Sequence, residues 1–365
     1  MRWLEFLERL PEAKRRLALA ALDPGEWRGL AALLVAGEDS MTLARGLVAR
    51  GPGVQRWVGG LRAARDALEY LKTLGGWVRA PGEAGWPHAL ARGAGRPAVL
   101  AGRGSFPEGP ALAIVGTRGS SPEGDALAGD LAAAWVASGG WVVSGGARGI
   151  DAAAHRSVLA SGGRTVVVAG TGLGHPFPRN HQSLFRRIEE AGAVVSEYPP
   201  TFSGRSWSFL DRNRIIAGIA EAVVVVEAPP RSGALNTARF ALKCGKKVLT
   251  VPGNPADPRS AGARSLLDRG ASPLRGPEDL PVCHEAPGPL PAEDRSRRPP
   301  QDPVERRVLE ALVVDGDGGG WHLDEIGRRL ALDPGTLSTV LLELELEGFV
   351  EALGGGRFRR IPGGQ

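Results

Sequence analysis

VVSGGARGIDAAAHR, residues 142–156, reads as the end of an apolar strand, a glycine turn and the start of a helix. α/β proteins hold phosphate at such places, because the first N–H groups of a helix are unpaired and glycines let a backbone come close. The spacing is not the G-x-G-x-x-G of a dinucleotide fingerprint, and no lysine follows as a P-loop requires. The turn therefore raises the question of which phosphate-bearing partner it serves.

The same strand–turn–helix pattern repeats on both sides of it. ALAIVG (111–116), GWVVSG (140–145), RTVVVAG (164–170), AVVSE (193–197), AVVVVE (222–227) and KKVLTVPG (246–253) are short β-branched runs ending in small or turn residues. Between them lie segments of helical periodicity such as EGDALAGDLAAAWVASG and NTARFALKCG. Near-continuous apolar strands alternating with helices predict an α/β fold, a doubly wound and mostly parallel sheet over about 76–284. Residues 1–74 read as a helical bundle, broken at Pro11, Pro24 and Gly51–Gly53. Residues 285–302 are a Pro-rich, charged linker. Residues 303–365 give three helices and a hairpin with its tip at Gly354–Gly356, the order of a winged helix-turn-helix.

At 365 residues the chain has room for two or three domains. Two cysteines, Cys244 and Cys283, form no disulfide framework or metal spacing, so no metal is expected. The start MRWLEFLERLPEAKRR is charged and amphipathic, and no apolar run is long enough to cross a bilayer. A cytoplasmic protein with no membrane partner is expected. The net charge is +5, yet residues 303–365 carry 7 Lys/Arg against 11 Asp/Glu. The remainder is mildly basic, which permits a polyanion partner.

In an open parallel sheet, ligands bind beyond the carboxyl ends of the strands. Five strand ends here carry small residues with donors or cations. Gly116 and Arg118 follow the first strand, and Ser144–Gly146 and Arg148 the second. Arg179 and Asn180 precede the helix after the third, in a segment that also holds an aromatic and prolines. The long connection 196–218 mixes Arg205, Arg212, Asn213 and Arg214 with Tyr198, Phe202, Trp207 and Phe209. Interleaved cations and rings suit a single-stranded nucleic acid, with guanidiniums on phosphates and rings on bases. Equally, the aromatics could be core and the arginines could pair with Asp211 and Glu197. Ser232–Gly233 opens another helix, and Lys243 and Lys246 precede the sixth strand. Donors spread along a whole edge fit an extended polyanion better than one small cofactor, and no cofactor is expected. His155, beside Ala152–Ala154, reads as a packed histidine, since no nucleophile-base-carboxylate spacing accompanies it.

AIVGTRGSSPEG, VVSGGARGIDAAAHR, TVVVAGTGL, PFPRN, VVSEYPP, FLDRNRIIAG, VVVVEAPPRSGALNTARFAL and VPGNP occur in the order and spacing of one family. Over about 76–280 the chain resembles the DNA-processing protein A family, also called Smf. The resemblance implies an extended Rossmann-like central domain between a SAM-like N-terminal bundle and a C-terminal winged helix. It also implies a protein that binds and protects incoming single-stranded DNA in natural transformation, helps load the RecA recombinase and needs no catalysis. By position, Arg118, Arg179 and Arg205 would hold DNA phosphates and Phe209, with Trp207, would stack a base. Arg212, Asn213 and Arg214 would line the pocket floor, and Lys243 and Lys246 would extend the groove. A homodimer through the central domain is implied, with a surface near Leu266 and Leu267. The chain departs from the family at Glu123, where a Tyr is usual, at Ala234 and Asn236, and in GARSLL (262–267).

Two other readings compete. Nucleotide phosphoribohydrolases share the sheet pattern, and Glu197 and Glu227 stand at strand ends. Their PGGxGTxxE turn, however, has only the glutamate-free RSGALNTA as a counterpart. A duplex-reading regulator would use the winged helix. Its third helix, PGTLSTVLLELELEG, carries Glu343, Glu345 and Glu347 and no cation, whereas such helices present Arg, Lys, Asn or Gln. Arg357, Arg359 and Arg360 on the hairpin could still touch a backbone. A protein-contact or regulatory role is favoured for this domain.

Overall fold

The computed structural model describes residues 7–22, 34, 39–49, 54–90, 96–281, 302–312, 320–346, 349–354 and 357–361. All of the expected linker except Asp302 lies outside the described residues, as do Cys283 and most of the hairpin tip. Among the described residues no helix is long and apolar enough to cross a membrane, and no group of side chains could hold a metal ion.

The parallel strands form where the β-branched runs predict them. They are β3 (Ala111–Val115), β4 (Trp141–Ser144), β5 (Thr165–Val168), β6 (Ala193–Ser196), β7 (Ala222–Val225) and β8 (Lys247–Thr250). Three further strands join the sheet: β1 (Trp77–Arg79), β2 (Leu100–Gly104) and β9 (Ser272–Pro273). The order is β1-β2-β6-β5-β4-β3-β7-β8-β9, with β1 and β2 antiparallel at one edge. The chain starts the parallel part at β3, winds outward through β4, β5 and β6, then returns to pair β7 with β3. That reversal between β4 and β7 is a topological switch point, where ligands of open α/β sheets bind.

Alternate strand residues feed opposite faces, as a period of two requires. Leu112 and Ile114 pack with Leu131 and Trp135 of α4 (Pro122–Ala137) and with Val158 of α5 (Ile150–Ala160). Ala113, Val143 and Val225 pack on the other face. There they meet Ile215 and Ile216 of α8 (Asn213–Ile219) and Leu235 and Ala238 of α9 (Gly233–Lys243). Val167 and Val194 pack with Phe185 and Ile188 of α6 (Gln182–Ala191). This cluster runs on into Leu17 of α1 (Glu12–Leu22), Met41 of α2 (Ser40–Ala49) and Ala67 of α3 (Val54–Thr73). The N-terminal helices therefore share a core with the sheet. α7 (Ser206–Asp211) precedes α8, and α10 (Pro258–Ser265) follows β8. Leu266, expected at a dimer surface, is instead buried in the core of the central domain, while Leu267 is half-buried.

The C-terminal segment has its own core of Val308, Leu309, Ile326, Leu337, Val340, Leu341, Phe349 and Phe358. Its elements are α11 (Pro303–Ala311), β10 (Trp321–His322), α12 (Leu323–Leu330), α13 (Pro334–Leu346), β11 (Val350–Gly354) and β12 (Arg357–Arg360). The two strands of the expected hairpin pair antiparallel, and β10 joins them.

Candidate nucleic-acid interface

Each strand end is shaped by a helix that starts beside it. Gly149 in the opening turn adopts φ 74°, ψ −133°, a conformation essentially restricted to glycine, and a β-carbon there would run into the Thr117 carbonyl. Gly146 also has a positive φ, 68°. Gly145 is needed for a different reason. A β-carbon on it would meet Nη2 of Arg212 at 2.7 Å and Oδ2 of Asp151 at 2.7 Å. The turn thus closes around two buried side chains of opposite charge, Arg212 and Asp151.

Asp151 accepts the Gly145 N–H at 3.1 Å and the Ala147 N–H at 3.3 Å. Burial raises its carboxyl above the ordinary value, and the Arg212 charge opposes that shift. Arg212 donates to the Gly145 carbonyl at 2.8 Å and also to that of Val168. Burial pushes its guanidinium down to about 10, against the opposing charge of Asp151. Its Nε is buried with no hydrogen-bond partner among the described residues.

A cavity of about 510 Å³ opens at the switch point. Gly116, Thr117 and Arg118 line it after β3, and Asp151, Arg212 and Asn213 form its floor. Arg231, Ser232 and Gly233 line it at the start of α9, and Phe177 and Phe209 form a wall. Ser232 caps α9 by accepting the Ala234 N–H at 3.3 Å, and Asn213 Nδ2 donates to the Gly233 carbonyl at 3.0 Å. Positive helix ends, an exposed Arg118 and a half-buried Phe209 therefore face one space.

The structure brings together Gly116, Arg118, Phe209, Arg212, Asn213, Ser232 and Gly233. Arg148, Arg179, Asn180 and Arg205 are exposed on neighbouring loops and do not line the cavity. Four residues expected at the groove lie elsewhere. Trp207 packs in an aromatic cluster, its ring centroid 5.8 Å from that of Tyr198, edge-on, and 6.0 Å from that of Phe202, on the side of the N-terminal helices. Arg214 is buried against Glu197 and Asp211, whose carboxylates hold its guanidinium above its ordinary value despite the opposing effect of burial. Lys246 turns back over the end of α8 and donates to the carbonyls of Ala217, Gly218 and Ala220 at 2.9, 2.6 and 2.7 Å. Lys243 sits in the last turn of α9, at the opposite end of that helix from Ser232.

Two residues not expected from sequence belong to the site. Phe177 is 48% exposed on the cavity wall, and Arg231, held at φ 63°, reaches its rim. The HPFPRN and PPRSG segments carry both, but nothing in their spacing says which ring or cation faces the edge. Glu227 accepts the Ser121 N–H at 2.9 Å and the Ser121 hydroxyl, so it holds the start of α4. Glu197 is committed to Arg214 and to the Ala98 N–H at 3.0 Å.

The family model described as DNA recombination-mediator protein A matches residues 77–284. The chain belongs to the DNA recombination-mediator protein A family. A second model, the DprA winged helix domain, matches residues 291–356. A putative DNA processing protein DprA of Mycobacterium tuberculosis is 38% identical over 319 residues, covering 82% of this chain and 81% of that one. Protein Smf of Escherichia coli K12 is 37% identical over 227 residues, covering 60% of this chain and 59% of that one. The X-ray structure of DprA from Streptococcus pneumoniae superposes with a TM-score of 0.57 at 28% identity, covering 76% of this chain and 94% of that chain.

Proposed function

We propose that this member of the family binds single-stranded DNA along the carboxyl edge of its sheet, as a recombination mediator without catalysis. The observation that carries this reading is the convergence of Arg118, the buried Arg212, the capped start of α9 and the Phe177–Phe209 wall on one cavity. Phosphates would lie on Arg118 and the α9 N–H groups, and a base would lie on the aromatic wall. Arg179 and Arg205, exposed on the flanking loops, would follow the backbone outward. By family membership, the bound strand would be protected in the cytoplasm and passed to the RecA recombinase. The working unit would be a homodimer built on the central domain.

The phosphoribohydrolase reading loses support because Glu197 and Glu227 are both engaged in structural contacts. The test is fluorescence anisotropy of the full chain with a labelled oligothymidylate, at two salt concentrations and with duplex competitor. Binding that weakens steeply with salt and resists the duplex supports the groove. No binding, together with release of free base from nucleoside monophosphates, would replace it with the enzyme.

A further inference from the structure

The winged-helix domain reaches the groove. α13 packs against α7, which carries Phe209, and against α9, which begins at Gly233. Gly335, in the first turn of α13, lines the same cavity as Arg118, Phe209 and Ser232. Nearby, Arg231 of the cavity rim pairs with Asp302 at 3.7 Å. Asp302 is the N-cap of α11, accepting the Val304 N–H at 2.6 Å. Asp333, two residues before Gly335, accepts the Gly335 and Thr336 N–H groups, each at 3.0 Å. Its bonds to Thr336 hold its carboxyl below the ordinary value, so it stays ionised.

This placement explains a domain whose charge is wrong for duplex reading. The segment 303–365 carries 7 Lys/Arg against 11 Asp/Glu, and α13 contains neither Lys nor Arg. A helix without cations gains nothing in a major groove. Set against a rim that includes Arg118 and Arg231, however, an acidic domain is complementary. The Arg231–Asp302 pair is half-exposed, so it is a weak contact that an incoming phosphate can replace.

We propose that the winged-helix domain is an internal competitor for the groove. Docked, it occupies Arg231 through Asp302 and narrows the cavity with the start of α13. A single strand entering the groove displaces it, so the apparent affinity of the full chain is lowered by the fraction of molecules that are docked. The proposal rests on the groove being the DNA site.

The test uses the full chain and its Asp302→Asn variant. Asparagine caps a helix as well as aspartate but lacks the charge that holds Arg231. At low salt the variant should bind oligothymidylate about two- to fivefold more tightly, the range expected for losing a half-exposed ion pair from the docked state. In the wild type, adding the oligonucleotide should speed amide hydrogen exchange in 334–346 as the domain leaves. Equal affinities, or exchange in 334–346 that is unchanged or slowed by DNA, overturn the competitor while leaving the groove in place. Failure of both proteins to bind overturns the groove and the competitor together.

Discussion

The ring of Phe177 lies with its centroid 5.3 Å from that of Phe209, tilted by 56°, at the wall of the strand-end cavity. Phe177 comes from the loop after β5 and Phe209 from α7, so two separate connections present one aromatic surface. A stacked base is worth about 1–3 kcal/mol by alanine substitution. Phe177→Ala should therefore weaken oligothymidylate binding on the order of tenfold. Because Phe177 is 48% exposed, its thermal midpoint should stay close to wild type. Phe209→Ala should show a similar loss, and the double variant less than the sum if both rings serve one base. Anisotropy titrations that give wild-type affinity for both single variants would remove the aromatic wall from the site.

Arg118 projects exposed from the turn after β3 at the cavity mouth, beside the start of α9. If it neutralises one phosphate, Arg118→Ala should lower affinity and also flatten the salt dependence. On single strands each lost contact should make the log–log slope shallower by about 0.7. A titration series from low to moderate salt reads both effects. An affinity loss with an unchanged slope would mean that Arg118 shapes the turn without touching DNA.

How far this site could be read from sequence depends on what kind of residue carries it. Glycines and caps at strand ends are legible because their chemistry is tied to the backbone, which the strand–turn–helix pattern already places. Gly116, Ser232 and Gly233 fall in the cavity for that reason. Side-chain direction is not legible in the same way. Trp207 and Phe209 are two positions apart on α7, and only the fold decides that one joins Tyr198 and the other the groove. The same holds for β1, β2 and β9, which lack the long β-branched runs of the parallel core. They take their conformation from the edges they complete. Nor does any local pattern bring Asp302, the last residue of the linker, against Arg231.

Lys246 separates a structural cation from a binding one. Its ammonium donates to three carbonyls at the end of α8, and burial pushes its pKa down to about 8. Lys246→Met would leave those carbonyls without their charged donor, at a cost of about 1.5–3 kcal/mol of stability. DNA affinity should be unchanged. Chemical denaturation and anisotropy on the same preparation check the two halves. A variant of full stability with weakened binding would return Lys246 to the groove.

His155 sets a pH dependence of stability that owes nothing to DNA. Its Nδ1 lies 2.7 Å from Thr165 Oγ1, and that hydroxyl donates its own proton to the Val142 carbonyl at 2.7 Å. Nδ1 must therefore carry a hydrogen and donate to Thr165. Nε2 is left bare in the core, without a hydrogen-bond partner among the described residues. A second proton on the ring would be buried with nothing to accept it. Burial, reinforced by His181 and Arg212, pushes the pKa from 6.5 down to about 3. The unfolded chain then binds a proton below pH 6.5 that the native state refuses, so stability falls as pH drops from about 6.5 toward 3. The loss should be about 1.4 kcal/mol per pH unit, on the order of 2 kcal/mol by pH 5. Asp151, whose carboxyl is raised by burial, pulls in the opposite direction, because its folded form gains a proton first. A comparison of wild type with His155→Gln cancels that contribution. Glutamine can still donate an amide N–H and carries no titratable group in this range. Urea denaturation at pH 7 and pH 5 should show the variant less stable at pH 7 but losing about 2 kcal/mol less on acidification. Parallel losses in the two proteins would mean that His155 accepts a proton in the folded state and that the bare Nε2 has found an acceptor.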